Sequence, residues 1–163
     1  MIYNALMIGK DIEISKKKIM SYIRRAEVVA LNSPDEQTKV GSVLVSWKTM
    51  SVISEGYNGF VRGTNDDALP KTRPEKHDFV IHAEQNLIYN AARNGVQTDD
   101  CFVVQSISPC IHCARALYQS GISVVYFKEW YKGVTSMKNY KDLKFDCTTY
   151  QNYTKIVIKP NKD

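Results

Sequence analysis

Apolar residues recur along this chain with two periods. Over "SKKKIMSYIRRAEVVALNS", residues 15–33, Ile19, Ile23, Ala26, Val29 and Ala30 fall at helical spacing. Ser15 stands where an N-cap belongs, and Asn32-Ser33-Pro34 ends the run. "KVGSVLVSW" (39–47) and "MSVISEGYN" (50–58) are rich in β-branched residues and separated by a short turn, which predicts an antiparallel hairpin. The polar stretch 59–78 holds two Pro and two Gly and predicts a long loop, a length that is usually functional or disordered. "HAEQNLIYNAARNG" (82–95) predicts a helix closed by Gly95, and "CFVVQSI" (101–107) a strand. "IHCARALYQSG" (111–121) predicts a second glycine-ended helix and "ISVVYF" (122–127) a strand. "VTSMKNYKDLKF" (134–145) reads as a helix and "YTKIVIK" (153–159) as a last strand. The order α-β-β-α-β-α-β-α-β predicts one α/β domain over residues 1–163, a three-layer α/β/α stack around a central five-stranded mixed sheet. The later β-α-β crossovers are expected to be parallel and right-handed.

Composition narrows the class. A chain of 163 residues with 44% hydrophobic and 24% charged residues is long enough to bury a core. No run of 18 apolar residues occurs, so no membrane span or membrane partner is expected. "MIYNALMIGKDIEISKKK" lacks a basic-then-apolar leader, which predicts a cytoplasmic protein. Cys101, Cys110, Cys113 and Cys147 are too few and too uneven for a disulfide framework, so the C-x-x-C reads first as metal-binding or redox. The net charge of +5 suits an anionic ligand. Its densest runs, Lys16-Lys17-Lys18 and Arg24-Arg25, read as a solvated helix face, and no nucleic-acid partner is expected.

Candidate chemistry gathers where two helices begin. His82 opens one, and Cys110 and Cys113 straddle the start of the next. Helix N-termini offer unpaired N–H groups and a positive dipole end, which favour the thiolate that binds metal. One nitrogen and two sulfurs suit Zn²⁺, and three protein ligands leave a fourth position open, as catalytic sites do. Glu84 can reach toward that open position and carry protons. A lone C-x-x-C or a lone H-x-E says little. In this order, with Pro109 before Cys110 and 27 residues between His82 and Cys110, they match the zinc-deaminase signature H-x-E…P-C-x-x-C. His112, between the two Cys, should point elsewhere, and His77 reads as an exposed loop residue. Cys101 and Cys147 read as buried or incidental thiols.

"HAEQN" with "SPCIHCA", "TKVGSVLV" (38–45) and "GYNGFVRGTNDDALP" (56–70) resembles the deoxycytidylate (dCMP) deaminase family of the cytidine/deoxycytidylate deaminase superfamily. The resemblance runs from about Ala26 to Tyr131. It implies a cytidine deaminase-like fold and hydrolytic deamination of dCMP to dUMP with release of ammonia, supplying dUMP for dTMP synthesis. It implies His82, Cys110 and Cys113 as ligands of one zinc per subunit and Glu84 as proton shuttle. Water would attack C4 of the cytosine while Glu84 protonates N3 and then the amino group. Asn58, Ala83 and Ser108 would touch the substrate, although "YNG" also reads as a plain turn. Lys39, Arg62 and Arg115 are the cations considered for its 5′-phosphate. Tyr57 and Phe60 would stack on a base or belong to the core. The resemblance further implies activation by dCTP with Mg²⁺, inhibition by dTTP and a homo-oligomer, with a hexamer favoured. Tyr57, Gly59, Arg62, Asp67, Asn86 and Arg93 are the allosteric candidates. Two positions depart from the family pattern. Val61 stands where Pro is usual, which puts regulation in question, and Leu87 stands where Ala is common, which alters packing. The extra His and Cys that give some members a second zinc are absent before His82, so a single zinc is expected.

Three rivals remain on the residues alone. A zinc deaminase acting on another cytosine nucleotide or on tRNA adenosine would keep the same ligands. A non-catalytic zinc-binding homologue would keep them for folding but would not need Glu84. A redox C-x-x-C would need neither His82 nor Glu84.

Overall fold

The Ser15 hydroxyl accepts the Lys18 N–H, and helix α1 runs Lys16–Ala30 from that cap. This computed structural model describes residues 13–163, so the N-terminal stretch read for a leader lies outside it up to residue 12. The hairpin follows as β1, Gly41–Ser46, and β2, Val52–Tyr57, paired antiparallel. Helix α2 is Ala83–Arg93, strand β3 Cys101–Ile107, helix α3 Ile111–Gln119 and strand β4 Val124–Glu129. Strands β5, Leu143–Thr149, and β6, Thr154–Pro160, complete one six-stranded sheet of order β2-β1-β3-β4-β6-β5.

Alternation along the central strands makes the three layers. Val43 and Val45 of β1, with Phe102 and Val104 of β3, pack toward Ile19 and Ile23 of α1. Leu44 and Val103 point the other way, into a core shared with Leu87 of α2 and Leu117 of α3. Strands β3 and β4 are parallel across α3, as a β-α-β unit requires. Because β3 and α3 adjoin, the chain leaves the sheet at Ile107 and enters α3 at Ile111, which sets the cysteines at that end of the sheet.

The expected helix over 134–145 does not form. Val134, Met137 and Tyr140 have helical spacing but lie in irregular chain, and Leu143–Thr149 is a strand. Leu143 and Phe145 alternate with Lys144 and Asp146, and that period of two wins through pairing with β6 along the whole strand. The sheet therefore has six strands rather than five. With a strand instead of a helix before it, β6 runs antiparallel to β4, not parallel. Among the described residues, no helix is long and apolar enough to cross a membrane.

Candidate metal centre and active site

The chain brings His82, Cys110 and Cys113 together. Their ligand atoms all lie within 4.8 Å of one another, and among the described residues they form the one such group of three. Each is placed by a helix start. His82 is the N-cap of α2, where the Gln85 side chain accepts its backbone N–H at 3.0 Å. Cys110 is the N-cap of α3, and its Sγ accepts the Cys113 N–H at 3.4 Å. The His82 Nδ1 sits 3.6 Å from Cys110 Sγ and 3.4 Å from Cys113 Sγ. The hydrogen bond with Cys113 pulls the Cys110 thiol down to about 4 against the opposing effect of burial, with His82 helping. The shared bond with Cys110, together with burial, pushes Cys113 up. A thiolate beside an imidazole and a second thiol is a donor set that fits zinc, and the group runs from exposed His82 to buried Cys113, so one side stays open.

Glu84 sits one helical step inward and is 4% exposed. Burial raises its pKa from the ordinary value, opposed in part by the Gln105 amide, whose Nε2 donates to Oε1 at 3.0 Å. A carboxyl held up in this way carries a proton nearer to neutral pH, which suits general acid–base work. Glu84 lines a cavity of about 510 Å³ together with His82 and Cys110.

Asn58, Ala83 and Ser108 also line that cavity. The Asn58 amide is largely committed to the protein. Its Oδ1 accepts the Val40 N–H at 2.8 Å, and its Nδ2 donates to the Thr38 carbonyl at 2.8 Å and to Asp35 at 3.3 Å. The phosphate candidates fare differently. Lys39 turns away to donate to the Ser33 carbonyl at 2.7 Å, and Arg115 pairs with Asp142 at 2.6 Å on the surface. Neither lines the cavity, and Arg62 belongs to another one. The cations in the wall are Arg73, Lys76 and Lys138. Arg73 reaches the Thr38 hydroxyl at 3.0 Å and the Tyr131 hydroxyl at 2.7 Å, while Lys76 is buried against Asp35. Lys76, Lys138 and Gln105 are not singled out by the sequence, and Arg73 reads there only as one of the charged residues of the loop 59–78, a candidate for a triphosphate rather than for this cavity. Only the "R-P-E-K" run in the loop before His82 carried a signal, a cluster of cations ahead of the candidate ligands.

His112 is exposed and outside the ligand group, and His77 is an exposed residue at the cavity wall. Cys101 is buried, whereas Cys147 is exposed. Five of the six allosteric candidates, Tyr57, Gly59, Arg62, Asn86 and Arg93, line a second cavity of about 840 Å³. Asp67 does not. It pairs with Lys71 at 3.0 Å, and its neighbour Asp66 takes the place in the wall. Phe60 and Val61 lie in this second cavity too, so Tyr57 and Phe60 stand away from the metal centre. Leu87 is fully buried in the core under α2.

Residues 16–129 match the family model described as the cytidine and deoxycytidylate deaminase zinc-binding region. The probable deoxycytidylate deaminase of Caenorhabditis elegans is 42% identical over 117 residues, covering 69% of this chain and 58% of that protein. The deoxycytidylate deaminase of Homo sapiens is 32% identical over 128 residues, covering 71% of this chain and 70% of that protein. The chain thus spans a little over half the length of the nematode relative. Among solved structures, the dCMP deaminase of cyanophage S-TIM5, in complex with dCMP and dUMP, is similar with a TM-score of 0.62 and 27% identity. That match covers 74% of this chain and 88% of the phage protein.

Proposed function

The chain belongs to the cytidine and deoxycytidylate deaminase family, and on that premise we propose that it hydrolyses dCMP to dUMP and ammonia. One observation carries the reading: a buried carboxyl, Glu84, lines the same cavity as His82 and Cys110 of the His82–Cys110–Cys113 group. The relatives support the choice of substrate, since the phage enzyme was solved with dCMP and dUMP.

His82, Cys110 and Cys113 would hold one zinc ion. Such an ion would supply Lewis acidity that lowers the pKa of water at the site toward neutral. Glu84 takes the proton from the attacking water and delivers it to N3 as the C4–O bond forms. Glu84 then takes the proton of the new C4 hydroxyl and passes it to the amino nitrogen, and ammonia leaves as the C4–N bond breaks and the C4=O bond forms. Ala83 and Ser108 shape the wall around the ring, and Asn58 offers the remaining lone pair of its Oδ1. Arg73 and Lys138 are the wall cations available to a 5′-phosphate, and Tyr131 and Thr38 already orient the Arg73 guanidinium toward that wall.

The finer reading extends to regulation. The protein acts as a single deaminase domain in a homo-oligomer, with a hexamer favoured, and supplies dUMP for dTMP synthesis. dCTP with Mg²⁺ activates it and dTTP inhibits it through the second cavity, where Arg62 and Arg93 offer positive charge.

The test is ammonia release from dCMP by the zinc-loaded protein. Glu84→Ala should lower kcat by about 10²- to 10⁴-fold while zinc stays bound. If zinc is bound and dCMP is inert with and without dCTP, the substrate assignment fails, and other cytosine nucleotides become the next candidates.

A further inference from the structure

Gln105 is fully buried, yet it is an amide on a strand whose other residues on that face, Cys101 and Val103, are core residues. Its Nε2 donates to Glu84 Oε1 at 3.0 Å and also to the Ile107 carbonyl. Its own Oε1 has no partner among the described residues. The Ser42 hydroxyl, on the residue directly across the β1–β3 ladder, has none either. An apolar side chain would fill this position without stranding a polar atom. Turned over, the amide would aim its oxygen at two acceptors, the Glu84 carboxylate and the Ile107 carbonyl. The NH₂ group therefore fixes the orientation, and the carbonyl is left where it falls.

The support behind Gln105 is stiff. Strand β3 is paired on both sides, with β1 and with β4, and the bond to Ile107 ties the amide to its own strand. Glu84, by contrast, is in the first turn of α2 on a side chain with several rotatable bonds.

We propose that Gln105 is a positioning residue: it holds Glu84 by Oε1 and so leaves Oε2 as the oxygen that carries protons from the water to the cytosine N3 and amino nitrogen. This rests on the deamination reading above. It adds a residue that neither the ligand spacing nor the H-x-E motif indicates. A carboxylate that must serve two proton transfers in one turnover gains from being held in one geometry, because misplacement by an ångström costs up to about a hundredfold in rate.

The experiment compares the zinc-loaded full chain with Gln105→Met, which matches the length of glutamine and lacks the donor. Zinc content, kcat and KM for dCMP are measured on both. The expected result is a kcat lower by about ten- to a hundredfold, with KM and zinc stoichiometry unchanged. Gln105→Asn keeps the amide but draws it back by one methylene, and it carries the same test if the methionine variant does not fold. A kcat within twofold of wild type overturns the proposal. So does a loss that follows zinc content or KM, because a merely structural role would act that way. Wild-type protein that binds zinc but releases no ammonia from dCMP would sink the deamination reading itself, and this proposal with it. Turnover by wild type matched by the variant sinks only the role of Gln105.

Discussion

Lys76 and Asp35 are each 3% exposed at the side chain and meet at 2.6 Å, beside the cavity and far apart in sequence. Burial alone would push the Asp35 carboxyl up. Hydrogen bonds from Lys76 and from the backbone N–H groups of Thr38 and Gln37 outweigh it and leave the carboxyl below its ordinary value of 3.8. Removing one partner strands a buried charge, so Lys76→Met should cost about 3–5 kcal/mol, read as a lower urea midpoint. The pH dependence follows from the direction of the shift. A carboxyl depressed in the folded state stabilises fully above its unfolded pKa, and that stability is lost as pH falls through the folded value. The gap between wild type and Lys76→Met should therefore narrow in acid, and a gap that widens would refute the pairing. This pair also marks the limit of reading residues from sequence. His82, Glu84, Cys110 and Cys113 could be read because local spacing at two helix starts creates them. Lys76, Arg73 and Gln105 matter through partners dozens of residues away, or across a ladder, and no local spacing encodes that.

Strand β2 and helix α2 meet backbone to backbone at Gly56. A Cβ there would stand 2.3 Å from the Leu87 N and 2.5 Å from the Ala83 carbonyl oxygen, so neither side could yield without moving the helix. Ala83 lies between His82 and Glu84, which makes Gly56 the spacer that sets the depth of both. Gly56→Ala should destabilise by about 1–3 kcal/mol and weaken zinc retention in competition with a chelator. Normal zinc retention with lowered stability would separate packing from site placement. Most elements were legible because their period was reinforced by caps and turns: Ser15 before α1, Gly95 and Gly121 after α2 and α3. Segment 134–145 was not legible, because three apolar residues at helical spacing imitate a helix while Leu143 and Phe145 already follow the period of a strand. Only the pairing partner β6, later in the chain, decides between them. The same segment lines the cavity beside Glu84, where Val134, Met137 and Tyr140 stand in the wall as irregular chain.

Helix α2 joins the two cavities. Its first turn gives Ala83 and Glu84 to the cavity lined by His82 and Cys110. Asn86, Tyr89, Asn90 and Arg93, at spacings of three, four and seven, give one face to the second. Asn86 and Asn90 also hold the helix to β2 through the Tyr57 and Glu55 carbonyls, and Arg62 reaches Asn90 at 3.0 Å. A triphosphate drawing on Arg62 and Arg93 would pull on contacts that fix the height of α2, and hence of Glu84. Such a ligand is an effector only to the extent that it binds two states of the protein unequally, and the coupling is reciprocal. Binding of dCTP with Mg²⁺ measured with and without dUMP should therefore change by the same factor as binding of dUMP measured with and without dCTP. Arg93→Ala should raise the dCTP concentration for half-effect about tenfold or more, the size expected for losing a charge-assisted hydrogen bond. Equal dCTP affinity in the presence and absence of dUMP would mean that the second cavity binds without regulating. No dCTP or dTTP binding at all would mean that, with Val61 in its wall, this chain has the pocket but not the switch.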